Sequence, residues 1–148
     1  CDWSSDVCSS DLPGRTVLGP GELLVSLWIP RPGPRTADAY LRLIPRTEMD
    51  IAVAGTGVRV TLDERGVCTA ARVAIGAVAP TALLVSGAAQ ALIGTTLTAD
   101  AIAKAAATAS EAARPIDDKR GTADYRKKMA GVLTKRALEI AARRVKER

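Results

Sequence analysis

Histidine is absent from all 148 residues, and so is phenylalanine. Without histidine, this chain cannot supply an imidazole general base or a histidine ligand for a metal. Aromatic residues make up only 3% of the sequence, so the stacking platforms used in nucleic-acid binding are scarce. The sequence also lacks an unbroken apolar run of about 18 residues, and we therefore predict no membrane-spanning helix.

The first twelve residues, Cys1 to Leu12, do not share the apolar periodicity of the rest of the chain. They resemble the in-frame translation of a DNA-sequencing adapter, and we expect an artefact there rather than a native disordered terminus. With Cys1 and Cys8 set aside, Cys68 is the one remaining cysteine. One thiol forms neither a disulfide framework nor a metal cluster, so we predict that Cys68 is a small buried apolar residue and that the chain has no metal site.

The chain is basic, with a formal net charge of +5, and much of the excess lies in the last third of the sequence. A basic helix there could contact nucleic acid, could dock against an acidic protein, or could simply present a solvated face. Tyr125 is the one aromatic residue of that third, which counts against nucleic acid. A non-enzymatic binding module with a basic C-terminal helix is the alternative function that this charge keeps open.

Residues 13 to 35 look like the remnant of another domain. Glu22 to Ile29 is predicted as a buried strand, because it is a short apolar run between a Gly-Pro-Gly turn and Pro30. Pro30, Pro32 and Pro34 then define a linker, since prolines prevent both a helix and a ladder. A strand followed by a linker is typical of a domain whose other strands lie elsewhere.

From Thr36 onward the sequence predicts an α+β domain, a three-stranded antiparallel sheet followed by a three-helix bundle on one face. Alternation predicts the strands, and the Asp63 to Gly66 turn predicts a hairpin. Caps at Thr98 and Thr122, together with breaks at glycine or proline, predict the helices. The predicted strands cover residues 37–44, 52–62 and 67–78, and the predicted helices cover residues 86–93, 99–113 and 123–145.

The residues alone offer no catalytic group. Gly55-Thr56-Gly57 could suggest a nucleotide-binding loop, but it lies inside a strand pattern, where a bulge or a close backbone approach is the better interpretation. Glu48 and Asp50 could suggest paired acid–base carboxylates. Beside Arg46 we instead expect a structural ion pair and a turn cap.

Four blocks of sequence, in order, resemble the FAD-binding medium subunit of the molybdenum hydroxylases, the carbon monoxide dehydrogenase and xanthine dehydrogenase family. Together they lie within residues 13 to about 144, and the segment from Thr36 to Ala52 is the most informative. The blocks are residues 20–26 (PGELLVS), residues 40–51 (YLRLIPRTEMDI), residues 72–80 (RVAIGAVAP) and residues 121–126 (GTADYR).

This resemblance implies an oxidoreductase subunit in which FAD accepts electrons from iron–sulfur clusters. It implies that residues 36–146 are the C-terminal domain, preceded by a remnant strand of a missing FAD-binding domain in residues 13–35. The main FAD loops would be absent, so we expect the chain to be inactive alone. Leu23 and Arg42 match positions that contact the cofactor in relatives. The alternatives are an exposed strand cation at Arg42 and a plain core residue at Leu23. The resemblance implies an iron–sulfur small subunit and a molybdopterin large subunit as partners, a cytoplasmic location, and neither nucleic acid nor membrane as a partner.

Overall fold

The computed structural model describes residues 18–46 and 50–147, and the twelve residues predicted as an artefact lie outside this range. Within it, four strands precede three helices. The strands are β1 (Thr36–Leu43), β2 (Ala54–Leu62), β3 (Cys68–Gly76) and β4 (Leu83–Leu84), and the helices are α1 (Ser86–Gln90), α2 (Ala99–Ala112) and α3 (Ala123–Lys146). The predicted α+β class is therefore confirmed.

The sheet is antiparallel, in the order β1-β2-β3-β4. The prediction of three strands was wrong because β4 adds a fourth, two residues long, after Pro80. The chain reverses direction at Ala77, which has a positive φ of 61°. This reversal lets Leu83 and Leu84 pair with Ile75 and Ala74. β3 thus ends at Gly76, before Pro80, and that proline does not prevent the chain from returning to the sheet edge.

Local signals fix the turn and the helix starts. The β2–β3 hairpin turns at Gly66, where φ is +80°, and the Asp63 carboxylate accepts from the backbone N–H groups of Arg65 and Val67. The side chains of Thr98 and Thr122 cap α2 and α3, as predicted, by accepting from backbone N–H groups three residues later. These caps satisfy donors that have no partner inside the helix.

One face of the sheet packs against the helices, with α3 lying across β1 and β2, α2 against α3, and α1 against α2 and β3. Alanine dominates the helical part of the core and allows close approach of the helices. Cys68 is buried in this core as a free thiol, so its prediction as a small apolar residue is confirmed. Burial raises the pKa of the Cys68 thiol, which therefore stays protonated at neutral pH.

The buried stripe of α3 differs from the predicted one. Three- and four-residue spacing in the sequence predicts a core stripe of Tyr125, Met129, Val132, Leu133, Ala137, Ile140 and Ala141. Of these, Tyr125 is exposed, and Met129, Val132 and Ile140 are only partly buried. Leu133, Ala137 and Ala141 of the predicted stripe are buried. They are joined by five side chains that the prediction did not include, Arg126, Ala130, Thr134, Leu138 and Val145. The helix turns its small residues toward the sheet and α2, because alanines permit a closer approach than large side chains do.

The segment from Glu22 to Ile29 does not form the predicted buried strand. It has no regular secondary structure, and its large apolar side chains are exposed, from 50% for Leu24 to 91% for Val25. The segment has the composition of a strand, but no strand of the described residues pairs with it. A strand needs a neighbour for its backbone hydrogen bonds, and sequence composition does not supply one.

Candidate functional site

The sheet face turned away from the helices carries Tyr40 and Arg42, both exposed. These side chains lie on the same face because alternate residues of a strand point to the same side. In the β1–β2 register, Tyr40 is opposite Gly57 and Arg42 is opposite Gly55. An aromatic ring and a guanidinium group therefore stand next to each other over a strand that has no side chains at those positions.

Tyr40 explains the Gly55-Thr56-Gly57 sequence. A Cβ atom on Gly55 would lie 3.1 Å from the Tyr40 hydroxyl oxygen, and one on Gly57 would lie 3.7 Å from the ring. The predicted close approach is thus made by a side chain onto the strand backbone. The predicted bulge is not at these glycines, because the register shifts only between Thr61 and Leu62.

The same face is cationic. Arg59 of β2 lies directly opposite Arg72 of β3, and like charges in that position destabilise a sheet. Among the described residues, Arg42, Arg59 and Arg72 have no ion-pair partner within 4.0 Å. Asp38 lies opposite Arg59 on this face, so the three arginines are only partly compensated. A flat face with small residues, one exposed ring and a surplus of arginines is suited to a planar, anionic ligand or to an acidic surface.

Arg42 also lines a groove of about 500 Å³ between β1 and α3. The groove has an apolar floor and a charged rim. It is lined by Leu41, Arg42, Leu43, Met129, Leu133, Arg136, Glu139, Ile140 and Arg143. Leu23 is not among these residues. It is 85% exposed and lies in the segment from Glu22 to Ile29, which pairs with no strand of the described residues. This groove therefore does not bring the two predicted cofactor contacts together.

A chain of alternating charges joins the β1–β2 connection to the loop before α3. Arg46 pairs with Asp50 at 3.1 Å, as predicted, whereas Glu48 lies outside the described residues. Arg120 bridges Asp50 at 3.9 Å and Asp118 at 3.8 Å. The hydrogen bond from Arg46 holds the pKa of Asp50 below its ordinary value. Asp50 and Asp118, whose pKa values are both lowered, thus remain charged at neutral pH and are unsuited to general acid chemistry.

Arg126 is the residue that sequence analysis missed. It is only 4% exposed, and its guanidinium lies 2.5 Å from the Asp118 carboxylate. It also donates to the backbone carbonyl oxygens of Val53 at 3.1 Å, Ala77 at 3.4 Å and Gly121 at 3.4 Å. The sequence feature that could have identified Arg126 as buried is its position, four residues before Ala130 and seven before Leu133, on the buried stripe of α3.

Two cations of α3, Arg126 and Arg144, have partners within the domain. Arg126 is buried, Arg136 and Arg143 line the groove, and Arg144 donates to the Asp38 carbonyl oxygen at 2.7 Å. No group of three or more acidic or cysteine side chains able to hold a metal ion occurs in residues 18–46 and 50–147. Over that same range, each helix is too short or too polar to cross a bilayer.

Comparison with known proteins agrees with this architecture. Residues 39–141 match the family described as the CO dehydrogenase flavoprotein C-terminal domain. The carbon monoxide dehydrogenase medium chain of Afipia carboxidovorans is 40% identical over 131 residues, which cover 88% of this chain and 45% of that protein. The medium chain of Hydrogenophaga pseudoflava is 37% identical over 126 residues, covering 85% of this chain and 43% of that protein.

Solved structures give the same result. A reconstituted CO dehydrogenase from Oligotropha carboxidovorans has a chain that superposes with a TM-score of 0.80 at 39% identity. The match covers 88% of this chain and 45% of that one, so the chain spans about half the length of the curated relatives it matches. Since the family match spans residues 39–141, which include all of β2, β3 and α2, this chain belongs to the CO dehydrogenase flavoprotein C-terminal domain family.

Proposed function

We propose that this chain is the C-terminal part of the FAD-binding subunit of a molybdenum hydroxylase, an oxidoreductase of the carbon monoxide dehydrogenase and xanthine dehydrogenase type. The match of residues 39–141 to a flavoprotein domain family carries the proposal. Bound FAD would supply the electron-accepting chemistry. This chain would contribute one wall of the cofactor site, with no catalytic residue of its own.

The outer sheet face fits such a role. Arg42 is exposed beside the Tyr40 ring on a face that the helices leave open. A guanidinium there would attract a phosphate oxygen or the negative charge that develops on a reduced flavin. The glycines opposite Tyr40 and Arg42 let the Tyr40 ring lie over β2, so a planar ring system approaching this face would meet that aromatic ring and not side chains of β2.

Leu23 would contribute an apolar contact from the leading segment. Its 85% exposure fits a side chain that still needs a neighbour, and a flavin ring is apolar over most of its surface. We assign residues 13–35 to a remnant of the FAD-binding domain with its linker, residues 36–146 to the C-terminal domain, and residues 1–12 to an artefact. The main FAD loops would belong to the part of the longer relatives that this chain does not cover.

The proposed complex contains an iron–sulfur small subunit and a molybdopterin large subunit, in the cytoplasm. Arg126 and Arg144 of the last helix have hydrogen-bond or ion-pair partners within the domain, and this counts against the alternative of a nucleic-acid-binding module. Generic duplex DNA should therefore bind weakly, with a salt dependence that reflects few phosphate contacts.

The test is flavin content. The subunit expressed from its complete gene should purify yellow with one FAD, while this chain alone should bind no FAD detectable by fluorescence quenching. In the complete subunit, Arg42→Ala should weaken FAD binding about tenfold, and Arg42→Lys should restore most of it, because the role is that of a cation. A complete subunit without flavin would refute the proposal. Normal FAD affinity in Arg42→Ala would remove Arg42 from the site.

A further inference from the structure

The backbone of Arg42 is held in place by its neighbours in β1. Leu43 directs its carbonyl oxygen toward β2, and the N–H group of Val53 donates to it at 2.8 Å. Backbone groups alternate in direction along an antiparallel strand, so those of Arg42 point to the outer edge of the sheet. The Asp38 carbonyl oxygen points the same way, since it accepts from the Arg144 side chain. The position of Arg42 therefore depends on bonds made by adjacent residues, and the bond between Leu43 and Val53 is one of them.

Arg126 reaches the same end of the sheet from α3. Its guanidinium donates to the carbonyl oxygens of Val53 at 3.1 Å and Ala77 at 3.4 Å. Val53 immediately precedes β2, and Ala77 immediately follows β3. The residue of β2 that is opposite Arg42 lies two positions after Val53, and its own partner in β3 is the residue before Ala77. Arg126 thus bonds to the two strand ends that lie beside the row of residues containing Arg42.

Val53 is bonded on both of its sides. Its N–H group donates to Leu43, and its carbonyl oxygen accepts from Arg126. Because peptide groups are planar, fixing both groups of one residue leaves its backbone little freedom. Val53 is also only 2% exposed, so water does not readily replace the guanidinium as a donor. Loss of the Arg126 bond would therefore loosen Val53 and, with it, the bond that holds the end of β1.

Asp118 sets the direction of the Arg126 guanidinium. Its carboxylate lies 2.5 Å from one terminal nitrogen of Arg126, while the other terminal nitrogen donates to Val53. A guanidinium is planar and rigid, so an ion pair on one nitrogen decides where the other points. The side chain of Arg120, in the same loop as Asp118, lies 3.9 Å from the Asp50 carboxylate, which precedes Val53 by three residues. The loop before α3 therefore holds the approach to β2 at two points.

Arg126 and Arg42 lie on opposite sides of the sheet. Arg126 is 4% exposed and belongs to α3, which packs against the inner face of β1 and β2. Arg42 is exposed on the outer face. Arg126 therefore has no direct access to a ligand on the outer face, and any effect it has there must pass through the backbone of the strands.

We propose that Arg126, oriented by Asp118, is a positioning residue for Arg42 and acts through Val53 and Leu43. This inference rests on the proposed function, in which Arg42 contacts FAD. The bonds of Arg126 fix the end of β1 before the cofactor arrives, so less ordering of the Arg42 backbone is required on binding. Disturbing them should weaken FAD binding although each residue that touches FAD is retained.

The test uses the subunit expressed from its complete gene. Arg126→Lys keeps a positive charge beside Asp118 but lacks the rigid fork that also serves Val53, and the Kd for FAD should rise about fivefold. Asp118→Asn is the milder variant, informative even where Arg126→Lys does not fold, and should raise the Kd by a smaller factor. Leu92→Ala is the matched control, because Leu92 is fully buried beside α1, away from β1. It should lower the stability and leave the Kd unchanged.

Combination with Arg42→Ala separates positioning from general destabilisation. If Arg126 acts through Arg42, Arg126→Lys should have no further effect on the Kd for FAD in an Arg42→Ala background. Effects that multiply would overturn the proposal. Normal affinity in Arg126→Lys beside weakened affinity in Arg42→Ala would also overturn it, and would leave the proposed function intact. Normal affinity in Arg42→Ala would instead remove Arg42 from the cofactor site, and this inference would fall with it.

Hydrogen exchange in the FAD-free complete subunit gives a measurement that is independent of the cofactor. The Val53 amide, which donates to Leu43, should exchange faster in Arg126→Lys and Asp118→Asn than in the unsubstituted subunit. The Leu62 amide, which donates to Arg35 at the other end of the β1–β2 pair, is the internal control and should keep its rate. Unchanged exchange at Val53, or equal acceleration at Val53 and Leu62, would refute the proposed action through Val53.

Discussion

The Arg126 guanidinium lies 2.5 Å from the Asp118 carboxylate while it donates to the Val53 carbonyl oxygen at 3.1 Å. One buried side chain of α3 thus joins the loop before its own helix to the residue that precedes β2. It also reaches the Ala77 carbonyl oxygen at 3.4 Å, at the residue whose positive φ returns the chain toward β4. Arg126 therefore holds three separate parts of the chain in one arrangement.

Replacing Arg126 should destabilise the domain strongly. Arg126→Met keeps much of the apolar stem but leaves buried carbonyl oxygens without donors, and we expect a loss of about 3 kcal/mol in the free energy of unfolding. Urea denaturation followed by circular dichroism measures it. Lys128→Met, at an exposed position of the same helix, should change stability by less than about 0.5 kcal/mol. Equal stability of both variants would contradict the role of Arg126.

Stability should fall in acid because of the charge network. The hydrogen bond from Arg126 holds the pKa of Asp118 below its ordinary value of 3.8, and Arg46 does the same for Asp50. A depressed folded-state pKa contributes stability above the unfolded-state pKa, and this contribution disappears as pH falls through the folded-state pKa. The urea concentration at the midpoint of denaturation should therefore decrease as the pH is lowered below 3.8. Asp118→Asn should flatten this dependence, and an unchanged slope would exclude the ion pair as its source.

Gly55 should resist a larger side chain only while Tyr40 is present. Gly55→Val would force the ring away, because even a Cβ atom would lie 3.1 Å from the hydroxyl oxygen, and we expect a cost of about 1 kcal/mol. In a Tyr40→Ala background the same change should be neutral or stabilising, since valine favours strands. A double-mutant cycle measures this coupling. Gly57→Ala should be tolerated, and additive effects at Tyr40 and Gly55 would contradict the contact.

Replacing Thr56 or Thr134, two buried residues that share a hydrogen bond, should lower the stability by different amounts. Thr134 donates its proton to the Ala130 carbonyl oxygen at 2.8 Å, so Thr56 must be the donor in the 3.3 Å bond between the two hydroxyl groups. Thr134→Val leaves the Thr56 proton without an acceptor and should cost about 1–2 kcal/mol. Thr56→Val removes only that donor and should cost less, about 0.5 kcal/mol. Thermal denaturation compares them, and the reverse order would contradict this assignment.

Local chemistry made much of the fold predictable. The strands follow from alternation, the hairpin from Asp63 and Gly66, and the helix starts from Thr98 and Thr122, all within a few residues of the structure. The four sequence blocks also indicated the family that residues 39–141 match. Arg42 lies exposed on the outer sheet face, while its contact with a cofactor, like that of Leu23, stays a prediction.

The sequence by itself determined three of the strands, the three helices, their order and the family, because caps, turns and periodic patterns act over a few neighbouring residues. Only the tertiary structure decided that Arg126 bonds to Val53, 73 residues away, that Tyr40 covers Gly55, and that β4 returns to the sheet edge. It also decided which stripe of α3 is buried, since close packing of alanines against the sheet depends on the shape of both surfaces. Such long-range contacts depend on how the elements meet, and local sequence does not encode that geometry.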